Sequence, residues 1–318
     1  MKKKVFITGV AGFIGFRLAE IILSKKKYKV FGIDNLNDYY PTKLKKHRLD
    51  FLKKYDDFSF EKNDLNDQAS NKEIFRKFRP DYVVNLAAQA GVRYSKKNPV
   101  SYVNSNINGF LNIISLSNEF NVEKFIYASS SSVYGTSKKI PFKESEKNLS
   151  PISLYGSTKL SNENIANLFY EKFNLNSIGL RFFTVYGPLG RPDMAYFQFA
   201  NKIKNNKPII VFNEGKMSRD MTYVDDICDG IIKSLKVKLN KPEIFNLGNN
   251  HPIKLFDLIN FLEESFRKKA DIIYETSSDE IKNTQGDISK AEKILNYDPK
   301  TSFEDGMKSF CDWFKKYE

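Results

Sequence analysis

From Val5 to Arg181 the chain alternates short β-branched or aromatic runs with longer stretches whose apolar residues recur at helical spacing. Val5–Thr8, Val30–Ile33, Phe58–Phe60, Tyr82–Leu86, Lys124–Ser129 and Ser177–Arg181 read as strands. Phe13–Ser24, Ser70–Phe78, Val100–Asn118 and Leu154–Lys172 read as helices, the second opened by a capping box of Ser70 and Glu73. Such alternation makes βαβ units, and hence a doubly wound parallel sheet with helices on both faces. After about residue 184 the alternation loosens. Gly187, Pro188, Gly190 and Pro192 mark a long loop, and shorter elements follow without an internal repeat. The pattern predicts an α/β domain over 1–184, also receiving segments near 222–248, and a smaller C-terminal substrate-binding domain over 185–318.

Composition narrows the classes. No apolar run approaches the ~18–20 residues of a membrane span. The opening MKKKVFITGVAGFIG has a basic start and an apolar stretch, but Thr8 and three glycines interrupt it and no small-residue cleavage site follows, so it reads as the first strand. Cys228 and Cys311, with His47 and His251, are too few and too scattered for a disulfide framework, a metal site or a Ser-His-Asp triad. A cytoplasmic protein is expected. The net charge of +13 comes mostly from lysines interspersed with acids and asparagines, which makes a solvated surface rather than a nucleic-acid groove. Such a surface attracts an anionic, diphosphate-bearing substrate.

Gly9, Gly12 and Gly15 follow the first strand at three-residue spacing and open the first helix. Glycines there let the backbone approach a pyrophosphate, and the helix start offers unpaired N–H groups. The spacing departs from the general Gly-x-Gly-x-x-Gly fingerprint, but the strand-to-helix position points to a dinucleotide and a Rossmann-like fold. Asp34, ending the second strand, is placed to accept from the adenine ribose hydroxyls and to repel a 2′-phosphate, which favours NAD over NADP. Asp64 and Leu65, after the third strand, are candidates to flank the adenine. Tyr155 and Lys159 lie four apart on one helix face. A free phenol, pKa about 10, is a poor base at neutral pH; a lysine cation one turn away, with the oxidised nicotinamide's charge, is expected to lower it. A serine at the end of the fifth strand, in Ala128-Ser129-Ser130-Ser131-Ser132-Val133-Tyr134-Gly135, is placed to bond the same substrate hydroxyl.

Thr8-Gly9-x-x-Gly12-x-x-Gly15, Asn85-Leu86-Ala87-Ala88-Gln89, the serine run, Tyr155-x-x-x-Lys159 and Arg219-Asp220-x-x-Tyr223-Val224-Asp225-Asp226 together resemble the extended short-chain dehydrogenase/reductase family, specifically its nucleotide-sugar epimerases. The resemblance spans essentially the whole chain. It implies Ser130 as the catalytic serine beside Tyr155 and Lys159. It places Phe13, Ile14, Asn35, Leu86, Ala87, Ala88, Gln89, Asn106, Ser129 and Phe182 against NAD, and it implies a homodimer through the helices 100–118 and 154–172. Related 4,6-dehydratases carry an Asp-Glu pair after the serine, and UDP-xylose synthases a glutamate two before the tyrosine. Ser131 and Ser132 stand here instead, so those eliminations and decarboxylations lose their acid/base, whereas epimerisation needs only Tyr155.

The segments Gly91-Val92-Arg93-Tyr94-Ser95-x-x-Asn98-Pro99, Leu180-Arg181-Phe182-Phe183-Thr184-Val185-Tyr186-Gly187-Pro188 and Gly190-Arg191-Pro192-Asp193-Met194-Ala195 resemble UDP-glucuronate 4-epimerases most closely. Thr184, where UDP-galactose-type epimerases carry asparagine, would with Ser130 and Ser131 bind a carboxylate without a strong cation beside it. Arg219 is expected on the diphosphate, since a guanidinium suits bidentate phosphate recognition. Arg93 and Arg191 are expected to shape the loop or touch the sugar. Glu280 would replace the aspartate of the family's Pro-Gly-Asp segment near the uridine ribose. The resemblance further implies a role in surface polysaccharide biosynthesis. The competing readings are a 4-epimerase of UDP-glucose or UDP-N-acetylglucosamine and a non-catalytic NAD-sensing protein.

Overall fold

The computed structural model describes residues 2–277 and 281–317. The chain runs β1 (Lys3–Thr8), α1 (Phe13–Ser24), β2 (Tyr28–Asp34), α2 (Thr42–Leu52), β3 (Phe58–Lys62), α3 (Gln68–Phe78) and β4 (Tyr82–Asn85). Next come α4 (Pro99–Tyr102), a π-helical turn (Val103–Asn108), α5 (Gly109–Glu119), β5 (Lys124–Ser130), α6 (Leu154–Phe173) and β6 (Ser177–Phe182). The remainder is β7 (Thr184–Tyr186), α7 (Ala195–Lys204), β8 (Ile209–Phe212), β9 (Ser218–Tyr223), α8 (Val224–Lys236), β10 (Glu243–Leu247), β11 (Pro252–Lys254), α9 (Leu255–Phe266), β12 (Ile272–Glu275), α10 (Ser289–Leu295) and α11 (Phe303–Lys316). No helix among the described residues is long and apolar enough to cross a membrane.

The main sheet has seven strands in the order β10-β6-β5-β4-β1-β2-β3, all parallel. It is the expected doubly wound Rossmann-like α/β fold, with its topological switch between β1 and β4. Because side chains alternate along a strand, each strand feeds two cores. Val5, Ile7, Val84, Ile126 and Ile178 face the core that holds α1 and α8, and Phe6, Val83 and Phe125 face the one that holds α3 and α5. Ile288, Ala291, Leu295 and Tyr297, around α10, pack in the first of these cores. A third core joins α7, α9 and α11 over Ile209, Val211 and Met221. Two small sheets, β11-β9-β7 and β12-β8, complete this C-terminal part.

Two local expectations are corrected, and one helix, α2, lies outside those expected. The cap of α3 is Asp67, whose side chain accepts from Ser70 N (3.0 Å); Ser70 lies inside the first turn, and Glu73 pairs with Arg76 and Lys77 instead of closing a box. The helix expected over 100–118 is interrupted by the π turn, which carries Asn106. And α2 joins β2 to β3 with a buried stripe of Leu44, Lys45, Arg48, Leu49 and Leu52, two cations among them, so the apolar pattern does not announce it.

Lys124, at the start of β5, is buried and points its ammonium at the C-terminus of α8. It donates to Ser234 O (3.1 Å), Leu235 O (2.9 Å) and Val237 O (2.5 Å). A cation here meets helix-end carbonyls that have no intrahelical donor and the negative end of the dipole. Lys124→Met keeps the bulk but leaves those acceptors without the ammonium. It is expected to lower unfolding free energy by about 1–3 kcal/mol in denaturant titrations, while a folded variant as stable as the parent would remove Lys124 from this role.

Candidate active site

The turn after β1 brings two backbone segments into contact. Gly9 has φ +69°, and a Cβ there would lie 2.8 Å from Ala87 N; a Cβ on Gly15 would lie 2.3 Å from Gly9 O. Only glycine fits such approaches without displacement. Thr8 Oγ1 donates to Asn85 Oδ1 (2.6 Å) and accepts from Ala87 N (3.0 Å), fixing the loop after β4 against the turn. Gly12 is the N-cap of α1 and supplies no side-chain cap, so the N–H groups of the first helical turn face the adjoining cavity.

That cavity, about 240 Å³, is lined by Gly9, Gly12, Phe13, Ile14 and Gly15 on one side. Asp34, Asn35, Asp64 and Leu65 form one end, Leu86, Ala87, Ala88 and Gln89 the opposite wall, and Ser129, Ser130, Tyr155, Lys159 and Phe182 the far end. Asp34 is buried and accepts from Ala11 N (3.1 Å) and Leu36 N (2.8 Å). Burial pushes its carboxyl up despite these bonds and the nearby Lys45 ammonium. Asn35 Nδ2 donates to Asp64 Oδ2 (2.8 Å). Asn106 stands behind the wall: its Oδ1 accepts from Gln89 N (2.8 Å), and its Nδ2 donates to Gln89 O and Thr158 Oγ1 (3.0 Å each).

Ser153 caps α6 by accepting from Gly156 N (3.0 Å), which puts Tyr155 in the first turn and Lys159 one turn on. A Cβ on Gly156 would lie 2.6 Å from Ser132 O, so this glycine lets α6 close on the serine-bearing turn. Sequence reasoning passed over it, although it stands between the tyrosine and the lysine. Ser130 Oγ accepts from Ser132 N (3.1 Å) and also lies within side-chain hydrogen-bond reach of Tyr155. Next to it Ser129 Oγ donates to Glu163 Oε1 (2.5 Å), and Glu163 takes a bidentate pair from Arg181.

The electrostatics differ from the simple expectation. Lys159 Nζ donates to Ala128 O (2.8 Å), and burial lowers this ammonium to about 8. The Tyr155 phenol stands above its usual value, because burial outweighs the lowering by Arg191 and Ser130. Arg191 in turn is held by Asp193 through Nε (3.0 Å) and Nη2 (2.5 Å), and Tyr39 Oη donates to the same carboxylate (3.0 Å).

Of the residues expected on the substrate, Ser130 and Arg191 line the first cavity. Thr184 and Arg219 line a second, about 140 Å³, with Met217, Met221, Ile253 and Leu258; Met194 borders both. Arg219 donates to Ser218 O (3.0 Å), whereas Asp220 is buried and accepts from Asn249 N (2.7 Å), Asn250 N (3.1 Å) and Gly286 N (2.9 Å). Ser131 borders neither cavity and starts the short helical turn after β5. Arg93 is exposed, with its guanidinium 4.5 Å from the centre of the Phe212 ring. Glu280 lies outside the described residues.

The first cavity fits a dinucleotide. Its glycine cradle has no room for a Cβ, an uncapped helix start supplies N–H donors for a pyrophosphate, and Asp34 stands at the ribose end. A doubly wound sheet with this turn at its switch point, and with serine, tyrosine and lysine at the cavity's far end, defines an NAD-dependent enzyme of the short-chain dehydrogenase/reductase type. Residues 5–248 match the model of the NAD dependent epimerase/dehydratase family, and the chain belongs to that family. It is 48% identical to an uncharacterized protein of Methanocaldococcus jannaschii, over 98% of this chain and 96% of that one. It is 43% identical to a UDP-glucuronate 4-epimerase of Thermodesulfobacterium geofontis, over 98% and 95% of the two chains. The fold superposes with a TM-score of 0.93 on the UDP-glucuronic acid 4-epimerase of Bacillus cereus, solved with UDP-glucuronic acid and NAD, at 35% identity over 99% of this chain and 100% of that one.

The Lys159 shift has a stability consequence in the cofactor-free protein. Between about pH 8 and about pH 10.4 the unfolded chain keeps a proton that folded Lys159 has lost, so this group makes stability rise with pH across that window. Below it, the folded protein bears the cost of a buried charge. Lys159→Met removes the dependence. Melting curves of the two cofactor-free proteins are expected to move in the wild type's favour as pH rises through the window, and a constant difference would contradict a lowered Lys159.

Proposed function

We propose that this NAD-dependent epimerase interconverts UDP-glucuronate and UDP-galacturonate by inverting C4. The observation that carries the proposal is the far end of the first cavity, where Ser130, Tyr155 and Arg191 face one space and the second cavity adjoins it at Met194. In this reading Tyr155 Oη takes the C4 hydroxyl proton, Ser130 Oγ holds the same oxygen, and Lys159 orients the site through Ala128. Bound oxidised NAD supplies the hydride acceptor and a positive charge beside the phenol. The 4-keto sugar then presents its other face, and Tyr155 returns the proton when the C–H bond re-forms. No second strong acid or base is needed, in keeping with Ser131 and Ser132 after the catalytic serine.

The carboxylate is assigned to the hydroxyls of Ser130 and Thr184, which line the two adjoining cavities; Ser131, expected beside them, borders neither. The guanidinium at this end is already paired with Asp193, so the sugar acid meets a partly neutralised cation rather than a bare one. That suits a β-keto acid intermediate. Its loss of carbon dioxide would leave an enolate, which a strong bare cation at the ketone would favour. Arg219 is assigned to the diphosphate and Glu280 to the uridine ribose. The cofactor half comprises 1–184 with 222–248 and the α10 region, and the remainder of 185–318 mainly holds the sugar nucleotide. The cytoplasm is the proposed compartment, and surface polysaccharide synthesis the proposed use.

A homodimer is also proposed. Val100, Val103 and Leu111 on the α4–α5 segment, and Leu168 and Phe173 on α6, are exposed apolar side chains on neighbouring helices, as an isologous helix-pair interface requires. The double variant Leu111→Glu/Leu168→Glu is expected to sediment as a monomer while the parent sediments as a dimer. An unchanged dimer would move the interface elsewhere.

For the reaction, incubation with a panel of UDP-sugars followed by NMR is expected to convert UDP-glucuronate to UDP-galacturonate without net consumption of NAD. Tyr155→Phe is expected to retain NAD and lose turnover by a factor of about 10² or more. Turnover of UDP-glucose or UDP-N-acetylglucosamine, with UDP-glucuronate inert, would overturn the substrate.

A further inference from the structure

Arg48, on α2, has no exposed surface. Its Nη1 donates to Ala11 O and Tyr40 Oη (2.8 Å each), its Nη2 to Leu189 O (2.6 Å) and Gly190 O (3.1 Å), and its Nε has no partner. All four acceptors are neutral, and none of the ion pairs among the described residues includes it. A guanidinium this deep usually has a carboxylate partner. Asp34, whose carboxylate feels the Arg48 charge, accepts instead from Ala11 N and Leu36 N.

Two consequences follow. The Ala11 peptide, inside the glycine turn, is held at both ends: its N–H by Asp34 and its carbonyl by Arg48. Across the guanidinium, the loop after β7 is held where it is least free. Leu189 is left-handed at φ +56°, a strained conformation for a non-glycine residue. A Cβ on Gly190 would lie 1.9 Å from Tyr196 Oη, and the next residue is Arg191, which lines the cavity with Tyr155. One rigid, planar group thus joins the turn that receives the dinucleotide to the loop that carries a residue at the sugar end.

We propose that Arg48 is a positioning residue that couples the two binding events: NAD on the glycine turn and the sugar nucleotide against the 187–193 loop each steady the same guanidinium-centred arrangement. The coupling rests on the assignment of the neighbouring cavity to a UDP-sugar. It is reciprocal by thermodynamic linkage. A lysine cannot replace the arginine, because one nitrogen does not span both backbones.

The test is NAD release from the holoenzyme on dilution, followed by fluorescence or absorbance, with and without saturating UDP. Wild type is expected to lose NAD about tenfold more slowly when UDP is bound, within the usual range of couplings. In Arg48→Lys, and in Arg48→Met if it folds, UDP is expected to change the release rate less than twofold. Lys124→Met, which removes another buried cation, at the other end of the sheet, is expected to keep the tenfold effect and so separates coupling from lost stability. Should Arg48→Lys retain the wild-type UDP effect, or should wild type bind UDP by calorimetry with no change in NAD release, the coupling role is overturned and the substrate reading stands. Failure of wild type to bind UDP at all would overturn both.

Discussion

There is no space for a side chain between Gly9 and the Ala87 peptide, and the rest of the site depends on that contact. In a doubly wound sheet the strands on either side of the switch point send their loops in opposite directions, which opens a crevice at their carboxyl ends. Here the crevice is kept narrow at its base because the β1 turn and the β4 loop touch through backbone atoms, with Thr8 Oγ1, at the end of β1, bonded to Asn85 and Ala87. A second approach, Gly15 to Gly9 O, seats α1 on the same turn. A methyl group at either position would force apart segments that form opposing walls of the cavity.

The end of the cavity that holds Tyr155 and Ser130 is closed by an analogous contact, Gly156 against Ser132 O. Buried polar side chains hold what this contact sets. Ser129 bonds Glu163, Glu163 pairs with Arg181, Arg181 lies 4.8 Å from the centre of the Tyr134 ring, and Tyr134 Oη donates to Asn246 on β10 (2.7 Å). The chain of contacts runs from the end of β5, beside Ser130, to the last strand of the sheet. Such networks are costly when broken, since each member would leave a buried partner unsatisfied. They therefore fix the serine turn more firmly than a loop of its length would be fixed alone.

The fold was legible wherever apolar periodicity matched burial. Phe13–Ser24 is read with its observed bounds, and the six strands expected in the first half lie within a residue or two of their places. Failures have physical causes. In α2 two of five buried positions are cations, so its inward face looks polar. The cap of α3 lies at Asp67, three residues before Ser70, because its carboxylate accepts from Ser70's own backbone N–H. The π turn at 103–108 has no apolar signature, since its reason for being is Asn106 and the polar wall it supports. The glycine and tyrosine motifs stood out because their chemistry demands particular residues at fixed spacing. Arg48 did not, because three of its four acceptors are main-chain carbonyls from segments remote in sequence.

The reading of Tyr155 has changed most. A lysine one turn away suggested a phenol activated by the chain itself, yet Lys159 spends its bond on Ala128 O and burial dominates the tyrosine. Lys159 Nζ stands 5.8 Å from the centre of the Tyr155 ring with a neutral carbonyl as its partner, yet burial still holds the phenol above its usual value and so protonated at neutral pH. In the proposed reaction it would become a base when further positive charge arrives beside it, and an oxidised nicotinamide ring would supply such a charge while the reduced ring would not. The protonation of Tyr155 would then follow the redox state of the bound cofactor: base while the sugar is an alcohol awaiting oxidation, acid once the ketone awaits reduction. One tyrosine serving both halves of a C4 inversion would require that alternation, and a phenol that burial keeps protonated until the cofactor's charge arrives would provide it.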